Sequence, residues 1–307
     1  MAAACSRPEG RGMTISISMN GISTTLRRAG WRLLLGGGIY ITLFIVALLA
    51  PQLAPHAADT QHLEQTLLPP FWMDGGHTDY LLGTDVLGRD ILSQLIYGAR
   101  VTAIVVVLAP LGAALTGSCL GLMAGYLRGW TEKVIMTLVE IWMAFPSVVL
   151  AMLLMVALMP GFTSVILAII LVDWTRFCRV IRGEVITWRD RDFVKAARLS
   201  GASHLSVMVS DLLPVVRPTL MVLITLEMAT AIMAESILSF VGMSVGPDTP
   251  SWGAMIARSL NTVFSAPWQL VPPMAAIVIT IFAAMMLGTG LRFSRREQTA
   301  TGDEVLV

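Results

Sequence analysis

The chain has 307 residues, 55% of them hydrophobic and 13% charged, with a formal net charge of +1. A mean hydropathy of +0.75 is too high for a soluble globular domain of this length, so the chain belongs in a lipid bilayer. The near-neutral balance points to no nucleic-acid partner, and Cys5, Cys119 and Cys178 make neither a disulfide framework nor a metal-ligand spacing.

Residues 1–30 read as a loose cytoplasmic N-terminal tail in which Met13 and Met19 are alternative starts. Six apolar stretches follow, at about 33–50, 101–126, 134–158, 163–180, 220–241 and 270–291, each near the roughly 20 residues that a helix needs to cross about 30 Å of hydrocarbon. Strand-built barrels would show alternating ten-residue segments instead, so the expected fold class is an all-α membrane protein with six transmembrane helices. The first stretch exceeds a usual signal core and meets Pro51 where cleavage would fall, which favours an uncleaved anchor.

Between the first two stretches lies an acid-rich loop with Asp59, Glu64, Asp74, Asp79, Asp85 and Asp90. His56, His62 and His77 lie in it without tight spacing, which disfavours a metal site. Asp90 suits the N-cap of a short helix with Ile91, Leu92, Leu95 and Ile96 on one face, expected along the outer interface. The later loop at 242–269 combines glycine and proline with Trp252 and Trp268, which suit a headgroup layer, and reads as a folded lid or docking surface.

Charge orients the bundle. With the N-terminus inside, 18 of the 21 basic residues are cytoplasmic and only Arg89, Arg100 and Arg258 lie outside, so both termini are expected in the cytoplasm.

Residues 193–214, FVKAARLSGASHLSVMVSDLLP, form a basic island between the fourth and fifth stretches. Phe193, Ala196, Ala197 and Ser200 lie at helical spacing, and Gly201 stands where a helix would end, because a left-handed residue costs glycine little. Ser203 suits the cap of a second helix with Leu205, Met208, Leu212 and Leu213 on its apolar face, and Pro214 with Pro218 is expected to end that helix. Arg189, Arg191, Lys195 and Arg198 surround the island with positive charge. Two readings are open on these residues: a surface that a soluble partner grips, or an amphipathic helix resting on anionic lipid.

The island resembles the EAA loop of binding-protein-dependent ABC importer permeases, matching at Ala196, Ala197, Gly201, Leu213 and Pro214 and departing at Lys195 and Asp211. LGTDVLGRDILSQLIYGARV at 82–101, GYLRGW at 125–130, AFPS at 144–147, RDFVKAARLSGAS at 191–203, ESILSFVGMSV at 235–245, TPSWGAM at 249–255 and LGTGLR at 287–292 are similar, in order, to the peptide and nickel branch of that family, of the dipeptide and oligopeptide C-subunit type. The tail after Arg292 departs from the usual ending.

The resemblance implies a type I importer permease fold, a multi-pass protein of the cell inner membrane. It divides the chain into a tail at 1–30, a first span and external loop at 31–97, a five-helix core at 98–292 with a cytoplasmic coupling loop at 181–217, and a cytoplasmic tail at 293–307. It further implies a second, related permease as heterodimer partner, two cytoplasmic ATPases that close over the loop, and an extracytoplasmic solute-binding protein that meets the loops at 52–97 and 242–269. Phe193, Lys195, Ala196, Ala197, Gly201, Ala202, Leu213 and Pro214 are the ATPase-coupling residues on that reading. No Gly-x-x-x-x-Gly-Lys-Ser/Thr loop occurs, so ATP and Mg are expected on the partners and no cofactor on this chain. The implied cargo is a dipeptide or oligopeptide, with nickel or a metal chelate as the alternative.

Glu140, Glu227 and Glu235 fall in spans, where an acid is a candidate for a translocation path. Glu140 and Glu235 equally suit bundle-facing hydrogen bonding, Glu227 is open between the two, and Asp173 is expected to pair with Arg176 near the inner interface. The 19 methionines suit adaptable packing. A proton-coupled secondary transporter is the rival class, but neither inverted repeats nor broken helices are visible. An intramembrane hydrolase lacks a histidine at membrane depth.

Overall fold

The computed structural model describes residues 19–304 except 245, 247 and 248, with side chains over 30–292; residues 1–18, which carry most of the expected tail with Cys5 and Met13, and residues 305–307 lie outside the described residues. Apart from one isolated bridge, Thr84 to Asp90, the regular elements among the described residues are helices.

Helix α1 (Met19–Leu48) begins inside what the sequence presents as a loose tail. No proline falls between residues 9 and 50, so nothing stops the helix from propagating backward from its apolar half. A short turn, α2 (Ala50–Leu53), starts at Pro51, and residues 54–90 form a loop without long elements.

Helix α3 (Ile91–Leu127) then runs unbroken for 37 residues. The expected interfacial helix at 91–97 is therefore the first two turns of the span rather than a separate element. Asp90 is its N-cap, as expected, accepting from the Leu92 and Ser93 amides.

The expected span at 134–158 is broken. Helices α4 (Gly129–Met143) and α5 (Ser147–Leu158) meet at 94°, because Pro146 lacks an amide donor and its ring disfavours a helical Phe145. Helix α6 (Phe162–Trp188) contains the fourth expected span and is long enough to cross a bilayer, but it carries Asp173, Arg176 and Arg179 within its first 18 residues.

The island follows as α7 (Asp192–Leu199), α8 (His204–Ser206) and a π-helical turn at Val207–Leu212, which leads without a break into α9 (Leu213–Phe240). Helix α10 (Trp252–Leu260) and a 3-10 turn at Pro267–Leu270 precede α11 (Val271–Glu304). Among the described residues four helices are long and apolar enough to cross a membrane, Gly30–Leu48, Ile91–Leu127, His204–Phe240 and Pro267–Arg292, and a fifth is counted when the bent α4–α5 pair is taken as one. The expected sixth rests on α6.

Helices α3 and α6 pack along a stripe of Gly117, Gly121 and Gly125. A Cβ on these would lie 2.3 Å from the Trp174 carbonyl oxygen, 2.7 Å from the Cys178 carbonyl oxygen and 2.8 Å from the Val185 Cβ. This is the small-residue spacing that lets helices approach closely in lipid, where no hydrophobic force pulls them together. A second interface joins α1, α3, α9 and α11 around Tyr40, Ala103, Ile232 and Ala284. The remaining layer, around Val105, Met155, Ile169 and Leu238, joins α3, α5, α6 and α9.

Candidate functional site

Both long loops meet at one end of the bundle. Trp252 Nε1 donates to the Leu95 carbonyl at 3.0 Å, and Gln269 Nε2 donates to the Thr84 carbonyl at 3.2 Å. A buried polar chain links the two: Arg89 Nε donates to Asp85 Oδ2 at 2.9 Å, Gln94 Nε2 donates to that same oxygen at 3.2 Å, and Arg258 Nη2 donates to Gln94 Oε1 at 2.8 Å. Burial, with Arg89 nearby, pulls the Arg258 guanidinium below its ordinary range, and Asp85 works the other way. The lid expected at 242–269 is thus one cap together with the first loop.

The island occupies the opposite end. Gly201 adopts φ +86°, its amide bonds the Arg198 carbonyl at 3.0 Å, and the Ala202 amide bonds the Ala197 carbonyl at 3.1 Å, which together make a Schellman stop for α7. Ser203 accepts from the Ser206 amide at 3.2 Å, as a capping residue should.

The far end of the island differs from expectation. Pro214 and Pro218 do not end the second helix, because His204–Phe240 is one helical rod. Pro214 falls in the first turn after the π-helical segment, where a missing donor is tolerated, and the segment itself shifts the hydrogen-bond register. The expected apolar face is also partly reversed: Met208 and Leu212 are buried, while Leu205 is 67% exposed.

Among the coupling residues, Phe193, Lys195, Ala196, Gly201 and Pro214 are exposed, and Ala197, Ala202 and Leu213 are half-buried. Val194 anchors α7 in a cluster with Leu122, Ile181, Val185, Val207, Leu212 and Val216, drawn from α3, α6, the π-helical turn and α9. A groove of about 670 Å3 runs between α7 and the α3–α4 turn, lined by Arg128, Asp190, Lys195, Arg198 and His204 among others. Arg189, expected to add surface charge, is buried instead and donates to the Gly125 carbonyl at 2.6 Å. The glycine stripe and Arg189 were the missed elements; the x-x-x spacing of Gly117, Gly121 and Gly125 was the available signal.

The three candidate glutamates, Glu140, Glu227 and Glu235, do not converge on one site. Glu140 is exposed on α4, and its carboxyl has no hydrogen bond or ion pair among the described residues. Glu235 is 1% exposed and accepts from Ser239 Oγ at 2.5 Å within its own helix. Glu227 is buried and faces Arg176, whose Nη1 is 3.6 Å from Glu227 Oε2. Arg176 Nε stands 3.9 Å from Asp173 Oδ1, the pair expected from the sequence, and because Arg176 also reaches Glu227 the pair is part of a trio.

Residues 117–293 match the family described as binding-protein-dependent transport system inner membrane component. The chain is similar to the di/tripeptide transport system permease protein of Pseudomonas aeruginosa strain UCBPP-PA14, at 38% identity, with 83% of this chain and 85% of the relative covered. Dipeptide transport system permease proteins of Haemophilus influenzae and Bacillus subtilis are 33% and 34% identical, over 81% and 83% of this chain and 84% and 78% of their own lengths.

Proposed function

The chain belongs to the binding-protein-dependent transport system inner membrane components, and from that membership we propose that it is the permease subunit of an ATP-driven importer of small peptides. The single observation that carries this reading is the seating of the island: an exposed α7 whose one buried residue, Val194, is packed against α3, α6 and the rod that continues into α9. A force applied to Lys195, Ala196 or Gly201 reaches α3, α6 and α9 through that cluster, because packed elements move between discrete arrangements instead of deforming smoothly. The continuity of α8 and the π-helical turn with α9 gives a second, covalent route.

On this reading two cytoplasmic ATPases grip the island, ATP and Mg are bound on those partners, and both termini of this chain are cytoplasmic in a six-helix topology with α6 as a span. The solute-binding protein lands on the cap built by the two long loops. A second, homologous permease covers the exposed face of α4, where Glu140 would otherwise meet lipid at several kcal/mol, on the order of the cost of a mid-membrane carboxylate. The relatives named above carry peptides in their names, which favours peptide over nickel as cargo. Lys195, reversed in charge from the family's usual acid, calls for an acidic partner on the ATPase.

Receptor-dependent uptake of labelled dipeptide, compared with nickel, in cells with and without this subunit tests the reading. Loss of dipeptide uptake alone on deletion supports it. Loss of nickel uptake alone overturns the cargo assignment.

A further inference from the structure

Where α5, α6 and α9 meet, a cavity of about 160 Å3 opens beside the break between α4 and α5. Asp173 and Arg176 of α6, Thr230 of α9 and Ser147 of α5 supply its polar lining. The Asp173 and Glu227 side chains are only 8% and 6% exposed, and Arg176 reaches both from its 46% exposed position at 3.9 and 3.6 Å. Those distances are longer than a hydrogen bond. Glu227 lies outside the lining itself, and Thr230 Oγ1 donates to its Oε1 at 2.6 Å, which connects this second acid to the cavity.

One guanidinium therefore serves two carboxyl groups in the middle of the bundle. Acids at membrane depth persist where a cation or a translocated substrate meets them, and here the acids outnumber their cation by one. Among the described residues no group of three or more His, Cys, Asp or Glu could hold a metal ion, whereas an organic ammonium needs only two or three acceptors. Ser147 and Val148, in the first turn of α5, also line the cavity, and that turn has no side-chain cap. The rest of the lining, including Val172, Met233 and Leu238, is apolar.

We infer that this cavity receives the amino-terminal residue of a peptide in transit, with its ammonium on Asp173 and Thr230 in place of Arg176, Glu227 standing behind Thr230 as the second acid, and its first side chain against the apolar wall. The inference rests on the peptide-import reading and deepens it by naming the group recognised. A cavity of this size is below the roughly 300 Å3 of small-molecule pockets, and it holds one residue end-on rather than a whole peptide. Arg176 is the resting counter-charge, and its exposure leaves it room to swing aside.

The test uses the complete transporter reconstituted with its receptor, with uptake of labelled dipeptide, peptide retained by the solubilised complex and receptor-stimulated ATP hydrolysis all measured. A wild-type complex that takes up no dipeptide overturns the import reading and this inference with it. With the wild type active, Asp173→Asn and Glu227→Gln are expected to lower uptake at least tenfold while ATP hydrolysis stays within twofold, and Asp173→Glu to restore uptake. Arg176→Gln is expected to raise retained peptide severalfold, because it frees both acids. A trio that only braces α6 against α9 predicts the opposite sign for Arg176→Gln, with retention falling as it does in the acid variants. That result, or wild-type uptake in both acid variants, overturns the inference and leaves peptide import standing. If the acid variants fail to assemble, the sign of the Arg176→Gln effect decides alone.

Discussion

Replacing Gly117 with alanine should separate the two helices that form the spine of the bundle. The added Cβ would stand 2.3 Å from the Trp174 carbonyl oxygen and 2.6 Å from the Phe177 Cβ, where ordinary contact begins at 3.4 Å. Relief therefore demands an opening of about 1.1 Å between α3 and α6, and one obstacle is backbone, which cannot rotate away. Over-packing of this kind costs about 1–3 kcal/mol, and the upper end is expected because the same stripe repeats at Gly121 and Gly125. Gly183 is the internal control: it lies on α6 with nothing within 4 Å of an added Cβ, so alanine there should stabilise by about 0.5–1 kcal/mol through helix propensity. Unfolding of the detergent-purified transporter, followed by the quenching of tryptophan fluorescence, reads both variants against wild type. Equal stability of Gly117→Ala and Gly183→Ala would refute the close-packed stripe.

Gly201→Ala forces a side chain into φ +86° and should cost about 1–2 kcal/mol locally, fraying the end of α7 and lowering receptor-stimulated ATP hydrolysis, with little change in assembly measured by co-purification. Asp85→Ala strips the buried Arg89 of its carboxylate partner and releases Gln94, so the cap should loosen by about 3–5 kcal/mol and become open to protease from the outside. Lys195→Glu should depress ATP-driven uptake, and a reciprocal acid-to-lysine change in the ATPase groove should recover it; recovery by no such change would remove the idea of a compensating acid.

Hydropathy and charge were enough to read the membrane class and the positions of most long helices, because span length and loop charge are local properties of the sequence. The Asp90 cap and the Gly201 stop were legible for the same reason: each is satisfied within five residues. What resisted reading depends on partners distant in sequence. Pro214 looks like a terminator until the π-helical turn before it is seen to absorb the register change. Arg189 looks like surface charge until the Gly125 carbonyl, 64 residues away, is found beneath it. Glu227 had no explanation because its counter-ion lies on another helix, 51 positions earlier at Arg176, and because Asp173 competes for the same guanidinium.

The account stands most directly on what touches α7 in the working transporter. Cysteine at the exposed Ala196, in a background with Cys5→Ser and Cys119→Ser, should cross-link to the ATPase in membranes and do so at a rate that changes when ATP is added. Cysteine at Phe264, fully exposed at the opposite end, should never do so. Labelling of the Ala196 site by a membrane-impermeant thiol reagent added outside intact cells, with no ATPase adduct under any condition, would contradict the central claim.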